Sequence, residues 1–151
     1  MAGVRTKRWN DPVAADDGVR ILVTRYRPRG LRKERENWEL WAKQLAPSVA
    51  LHAAAYGKDG PPITFDEYRR RYLDEMKGHE AQIADLAQRV LRGETITLLC
   101  SSACRDATRC HRSLLKELID ARLPRELRAP PEAPPSGIVN PAYGKLKSWL
   151  E

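Results

Sequence analysis

Apolar positions change period along the chain, from short β-branched runs near the start to helical stripes in the middle. In GVRILVTR (Gly18–Arg25), Val19, Ile21 and Val23 alternate with Leu22, and only Arg20 interrupts the run. A short apolar run of this kind reads as a strand buried on both faces. The turn-like NDPVAADDG precedes it and RPRG follows, which makes Arg25–Gly30 the loop at its carboxyl end. VRTKRW (Val4–Trp9) reads as an edge strand, and TITLLC (Thr95–Cys100) as a second central strand.

Between these strands the period lengthens. In PPITFDEYRRRYLDEM, Phe65, Tyr68, Tyr72 and Met76 lie on one helical stripe, with Thr64 and Glu67 spaced as a capping box. Gly78 ends that helix. Ile83, Leu86, Ala87, Val90 and Leu91 mark another that stops at Gly93, and APSVALHAAAYG gives a shorter one capped by Ser48 and closed by Gly57. Leu31–Leu45 admits two readings, since Trp38, Trp41 and Leu45 suit a helix while WELW suits an extended segment. TRCHRSLLKELIDARL is the last helix of the core, beginning near Asp106 or Thr108. Strands alternating with helices predict a compact, layered α/β fold with a small, mostly parallel sheet flanked by helices. Residues 1–123 form its single domain. Six of the 11 prolines fall between Pro124 and Pro141, so 124–151 reads as a Pro-rich tail, in which YGKLKSWL docks a short helix through Trp149 and Leu150.

At 151 residues the chain has room for one domain with a core that needs no disulfide staples. It shows neither a membrane span nor a secretory leader, which predicts a cytoplasmic protein with reduced thiols. Three cysteines, an odd number, then read as thiols or metal ligands, not as a bridge framework. The net charge of +7 raises the question of a polyanion partner. Its densest stretch, Arg20–Arg35, lies around the first central strand, and Trp38 and Trp41 follow as aromatic platforms.

All three cysteines and one of the three histidines sit within CSSACRDATRCH. A zinc set of Cys100, Cys104, Cys110 and His111 lacks the paired short knuckles of structural zinc sites, and no metal is assigned on this spacing. On the last helix, Leu114, Leu115 and Leu118 define an apolar face with His111 near its middle and Arg112 off to one side, so His111 points toward the sheet. The helix start offers unpaired N–H groups beside Arg105, Arg109 and Arg112, an anion site that would lower the pKa of a thiol placed there. Cys110 meets that condition on its own helix, and Cys100 across the loop. The alternative for Cys100 is a small apolar residue in a buried strand. Cys-x₅-Arg, Walker, GxGxxG and GxSxG patterns are absent. In parallel sheets ligands bind at the carboxyl ends of the strands. The loops after Arg25 and Cys100 therefore share one edge, where Arg25 and Arg29 would clamp a phosphate or carboxylate. A salt bridge to Glu34 or Asp17 is the other use for these arginines.

VRILVTRYRPRGL, WELWAKQLAPS, FDEYRRRYLDEM and ITLLC…CHRSLL, in that order over roughly Val4–Leu123, resemble the domain of unknown function 488 (DUF488) family, which includes the bacterial YeaO-like proteins. The resemblance implies a compact α/β domain of a mostly bacterial, cytosolic family, with a suspected enzymatic site around the strand-end cysteine and the CHR helix start. Cys100, Cys110, His111 and Arg112 stand at the matching positions, as do Arg25, Pro28, Arg29 and Gly30; Cys104 is a departure. The expectation is a cytoplasmic protein that binds an anionic small molecule, a phosphate or nucleotide, and works without a cofactor. Cys100, Cys110 and His111 would be its catalytic groups, and Arg25, Arg29 and Arg112 its anion clamp. The alternatives are a non-catalytic nucleic-acid-binding module and a structural zinc protein.

Overall fold

A computed structural model describes residues 2–58, 60–104 and 106–128. Arg105 and the proposed tail helix at Trp149 and Leu150 lie outside the described residues. Four strands, β1 (Gly3–Arg8), β2 (Val19–Leu22), β3 (Leu40–Trp41) and β4 (Thr95–Cys100), form one sheet in the order β1-β4-β2-β3. Every pairing is parallel. The last strand is thus inserted between the first two, with Leu99 level with Leu22 of β2 and Cys100 level with Arg8 of β1. This mixed α/β architecture with a parallel sheet is the one the alternating periods predict, and β1 lies at an edge as expected.

Side chains on a strand alternate between faces. Val4, Ile21, Val23, Ile96 and Leu98 share one face and pack with buried residues of four helices: α1 (Val49–Tyr56), α2 (Phe65–Met76), α3 (Glu80–Leu91) and α4 (His111–Asp120). Their caps follow the sequence. Ser48 Oγ accepts from the Leu51 amide at 3.1 Å, and Gly57 closes α1 with φ 74°. Thr64 Oγ1 accepts from the Glu67 amide at 3.2 Å. The Glu67 carboxylate instead receives Arg70 and Arg71, at 2.6 and 2.7 Å. Gly78 sits in a 3₁₀ turn, Lys77–His79, that joins α2 to α3.

The opposite face carries a buried ionic knot. Asp17 is bonded by Arg20 and, at 2.6 Å, by Lys7, while Thr97 donates to the Asp17 carbonyl at 2.6 Å. Arg20 also reaches the Asn37 carbonyl at 2.7 Å. The one residue that interrupts the apolar run of β2 is therefore buried as well, with its charge fully engaged.

Leu31–Leu45 resolves toward the extended reading. It contains only the two-residue β3 and 3₁₀ turns at Lys33–Arg35 and Lys43–Leu45. Trp41 lies on the edge strand, where its Nε1 donates to the Thr24 carbonyl at 2.8 Å. Leu45 alone of the proposed helical trio is fully buried, and it joins the core.

Candidate cysteine site at the carboxyl edge of the sheet

Strand β4 delivers Cys100 to the carboxyl edge, on the face that carries Ile96 and Leu98. The chain then folds back on itself. The Cys104 amide donates to the Ser101 carbonyl at 3.1 Å, and the Ala103 amide to Ser101 Oγ at 3.1 Å. Asp106 caps a 3₁₀ turn, Ala107–Arg109, through its bond from the Thr108 amide at 3.0 Å. Cys110 follows as the N-cap of α4, so the helix begins later than the sequence pattern suggests.

This path brings Cys100, Cys104 and Cys110 together, with all three sulfurs within 4.8 Å of one another. The cysteines are unbridged and at most 4% exposed. Sequence spacing alone does not reveal this meeting, because the compact loop folds the odd cysteine, Cys104, against the other two.

Arg112 completes the site from the first turn of α4. It is 4% exposed, and its Nη1 donates to Cys100 Sγ at 3.0 Å. The expectation that Arg112 lies off the apolar face is corrected here. The buried arc of α4 also takes in Ile119, Arg112 and Lys116, so it is wider than the leucines alone indicate. His111 does point at the sheet. Its Nε2 lies 2.6 Å from the Val23 carbonyl at the end of β2, and its Nδ1 lies 3.9 Å from Cys110 Sγ. Tyr72 from α2 covers this ring at a centroid distance of 5.7 Å and is itself held by donation to the Leu45 carbonyl at 2.7 Å.

Proton affinities within the cluster diverge. Burial, with hydrogen bonds to Cys104 and Cys110, pushes the Cys100 thiol up. At Cys104 the bond from Cys100 pulls downward, but the bond to Cys110 and burial outweigh it and the thiol also rises. Burial opposes ionisation of Cys110 too. There the hydrogen bonds from Cys100 and Cys104, helped by His111, win and hold the thiol well below its ordinary value. Of the three, Cys110 is the sulfur whose surroundings favour ionisation, while Arg112 stands against Cys100.

The remaining candidates lie at the same edge but are placed differently. Arg25 follows β2 and donates to the Pro47 and Ala46 carbonyls at 2.8 and 3.3 Å. Its charge, with those of Lys58 and His111, acts on His52, whose pKa is lowered to about 4, with burial as the leading cause. Arg29 is exposed in the β2–β3 loop. Among the described residues no hydrogen bond or ion pair connects Arg25 or Arg29 with the sulfurs. Neither arginine takes Glu34 or Asp17 as its partner; Arg20 pairs with Asp17, and Arg27 pairs with Glu36 at 2.7 Å. The sequence reading overlooked Tyr72 as a site residue, although its place on the α2 stripe toward the core was the available signal.

The chain carries a DUF488 domain over the residues that form this fold and site. The chain belongs to the DUF488-N3a family, described as the active DUF488-N3 subclade, whose model matches residues 4–123. It is 34% identical to the uncharacterized protein Rv3073c of Mycobacterium tuberculosis (strain ATCC 25618 / H37Rv) over 119 residues, which cover 79% of this chain and 95% of that one. It is 32% identical to the uncharacterized protein YeaO of Escherichia coli (strain K12) over 117 residues, 76% of this chain and 94% of that one. No solved structure matches it. Among the described residues no helix is long and apolar enough to cross a membrane.

Proposed function

We propose that this protein is a cytoplasmic, thiol-dependent enzyme acting on an anionic small molecule, a nucleotide or another phosphorylated compound. The observation that carries the reading is the placement of the Cys110 sulfur, 3.9 Å from His111 Nδ1 and within 4.8 Å of the Cys100 and Cys104 sulfurs, surroundings that favour its ionised form. A thiolate is the nucleophilic form of cysteine, and nucleophilic catalysis needs it at neutral pH. In this reading Cys110 attacks, and His111, oriented by the Val23 carbonyl, serves as its acid–base partner. Arg112 and Cys100 hold the charge in place. Arg29, exposed on the loop beyond β2, meets the anionic group of the substrate at the same sheet edge, while Arg25 is engaged with the Pro47 and Ala46 carbonyls.

The test is substrate protection. Inorganic phosphate and a nucleoside monophosphate are each titrated against the rate at which iodoacetamide modifies Cys110, mapped by peptide mass. Protection that saturates, and that weakens in Arg29→Ala, supports the reading. Unchanged Cys110 modification with either anion, up to millimolar concentrations, refutes the anionic substrate.

A second reading has its own observation. Three sulfurs within 4.8 Å of one another are a donor set for a thiophilic ion such as zinc. Metal analysis of the purified chain decides it, with one equivalent bound through all three thiols as the supporting result. The nucleic-acid module has less behind it, because Arg20, Arg25 and Arg27 are already bonded within the protein.

A further inference from the structure

Catalysis by Cys110 leaves Cys104 without a task, and Cys104 is the cysteine that departs from the family likeness. Its position is nevertheless specific. It sits in the loop between β4 and α4, and its sulfur is part of the buried cluster. Cys100 is fixed by comparison: it ends a strand, its carbonyl accepts from the Trp9 amide at 2.9 Å, and its sulfur is held by Arg112. A disulfide needs sulfurs about 2.05 Å apart, so a Cys104–Cys110 bond asks the loop to close a gap of less than about 3 Å. Loop residues make such a shift more readily than a strand held on both sides.

We propose that Cys104 is a resolving thiol, which closes a disulfide onto Cys110 once a hydroperoxide has oxidised it. The inference rests on the preceding reading for Cys110 as the reacting sulfur, and on geometry: that sulfur lies within 4.8 Å of Cys104 Sγ, 3.9 Å from His111 Nδ1 and at the N-cap of α4. In the first step the Cys110 thiolate attacks the near oxygen of the peroxide. The O–O bond breaks, Cys110 becomes a sulfenic acid, and the departing hydroxide takes the Cys100 proton to leave as water. In the second step the Cys104 sulfur attacks the Cys110 sulfur. The S–O bond breaks, a second water leaves with the Cys104 proton, and the disulfide forms. Two thiols are oxidised by two electrons and one peroxide is reduced. The disulfide carries no charge, so the negative charge ends on Cys100, which remains as the single unbridged sulfur, a thiolate 3.0 Å from Arg112 Nη1. Cys104 thus keeps the nucleophile from irreversible over-oxidation in a form that a small dithiol restores.

The experiment treats the reduced full-length chain, and its Cys104→Ser variant, with one equivalent of hydrogen peroxide, followed by intact mass, peptide mapping and dimedone trapping. The native chain should lose two hydrogens in mass, yield a Cys104–Cys110 cross-link within one chain, keep only Cys100 open to alkylation and regain all three thiols with dithiothreitol. In Cys104→Ser, dimedone should capture Cys110. The inference is overturned if the native chain gives as much dimedone adduct as the variant, or if the cross-link uses Cys100 or joins two chains. If Cys110 is oxidised in neither protein, the thiolate reading fails and takes the inference with it. If Cys110 is oxidised but unresolved, only the inference falls.

Discussion

Nη1 of Arg112 lies 3.0 Å from Sγ of Cys100, and both residues are almost wholly shut off from solvent. A buried guanidinium cannot shed its proton and needs negative charge close by. Cys100 Sγ is its hydrogen-bond acceptor, and the charge of Arg112 also reaches Asp11 on the neighbouring loop. There burial raises the carboxyl, but the bonds from Arg8 and the charges of Arg8 and Arg112 bring it down. Arg8 also donates to the Ser102 carbonyl at 3.1 Å and so ties that loop to the thiol loop.

Replacing Arg112 by methionine keeps the length of the side chain and removes its charge. Cys100 then loses its guanidinium partner and Cys104 the positive charge that lowers it, so the cluster should titrate at higher pH, and the fold should lose roughly 3 kcal/mol. Denaturant unfolding and the pH profile of alkylation measure the two effects. Arg112→Lys should recover part of each.

Asp17→Asn should destabilise the fold by about 3–5 kcal/mol, because it leaves Arg20 and Lys7 facing a neutral amide within the knot. Burial raises the Asp17 carboxyl, but the bonds from Lys7, the Ala14 amide and Arg20 outweigh it and hold it below its ordinary value. A depressed carboxylate stabilises fully above the unfolded value of about 3.9, and that contribution disappears as pH falls through the lower folded value. Acid unfolding followed by circular dichroism should therefore be less steep in the variant.

His52 works in a different window. It is lowered from 6.5 to about 4 by burial, helped by Lys58, His111 and Arg25, so the folded protein binds fewer protons there than the unfolded chain. Its contribution is complete above pH 6.5 and is lost as pH falls toward 4. Melting temperatures at pH 7 and pH 5 should differ less in His52→Gln than in the native chain.

Gly18 adopts φ 64°, and a Cβ there would lie 2.0 Å from the Thr95 carbonyl oxygen at the start of β4. Gly18→Ala should lower stability by more than about 2 kcal/mol, since both the backbone angle and the β2–β4 approach oppose it. Thermal unfolding checks this directly.

Much of this was legible beforehand, for identifiable reasons. β-branched runs and helical stripes located β2, β4, α2 and α3, because burial on a strand and on a helix leave different periods. Leu31–Leu45 was not decided by its tryptophans. Their spacing fits a helix, whereas Leu40 and Trp41 pair with Ile21 and Leu22 in a sheet whose order no local pattern encodes. His111 was placed correctly from the face of α4. Arg112 was not, because a buried guanidinium is polar in sequence and becomes an inward residue only once a sulfur partner waits at the end of β4. The meeting of three thiols was equally hidden, since it depends on how a nine-residue loop between Cys100 and Cys110 turns back.

The central claim is that Cys110 is a thiolate under conditions where an ordinary thiol is not. The direct measurement is the rate of Cys110 alkylation by iodoacetamide as a function of pH, resolved from Cys100 and Cys104 by peptide mass. The rate should rise with a midpoint well below the value of about 8.5 for an unperturbed cysteine, apart from those of Cys100 and Cys104. A midpoint at or above that value, shared by all three cysteines, would contradict it.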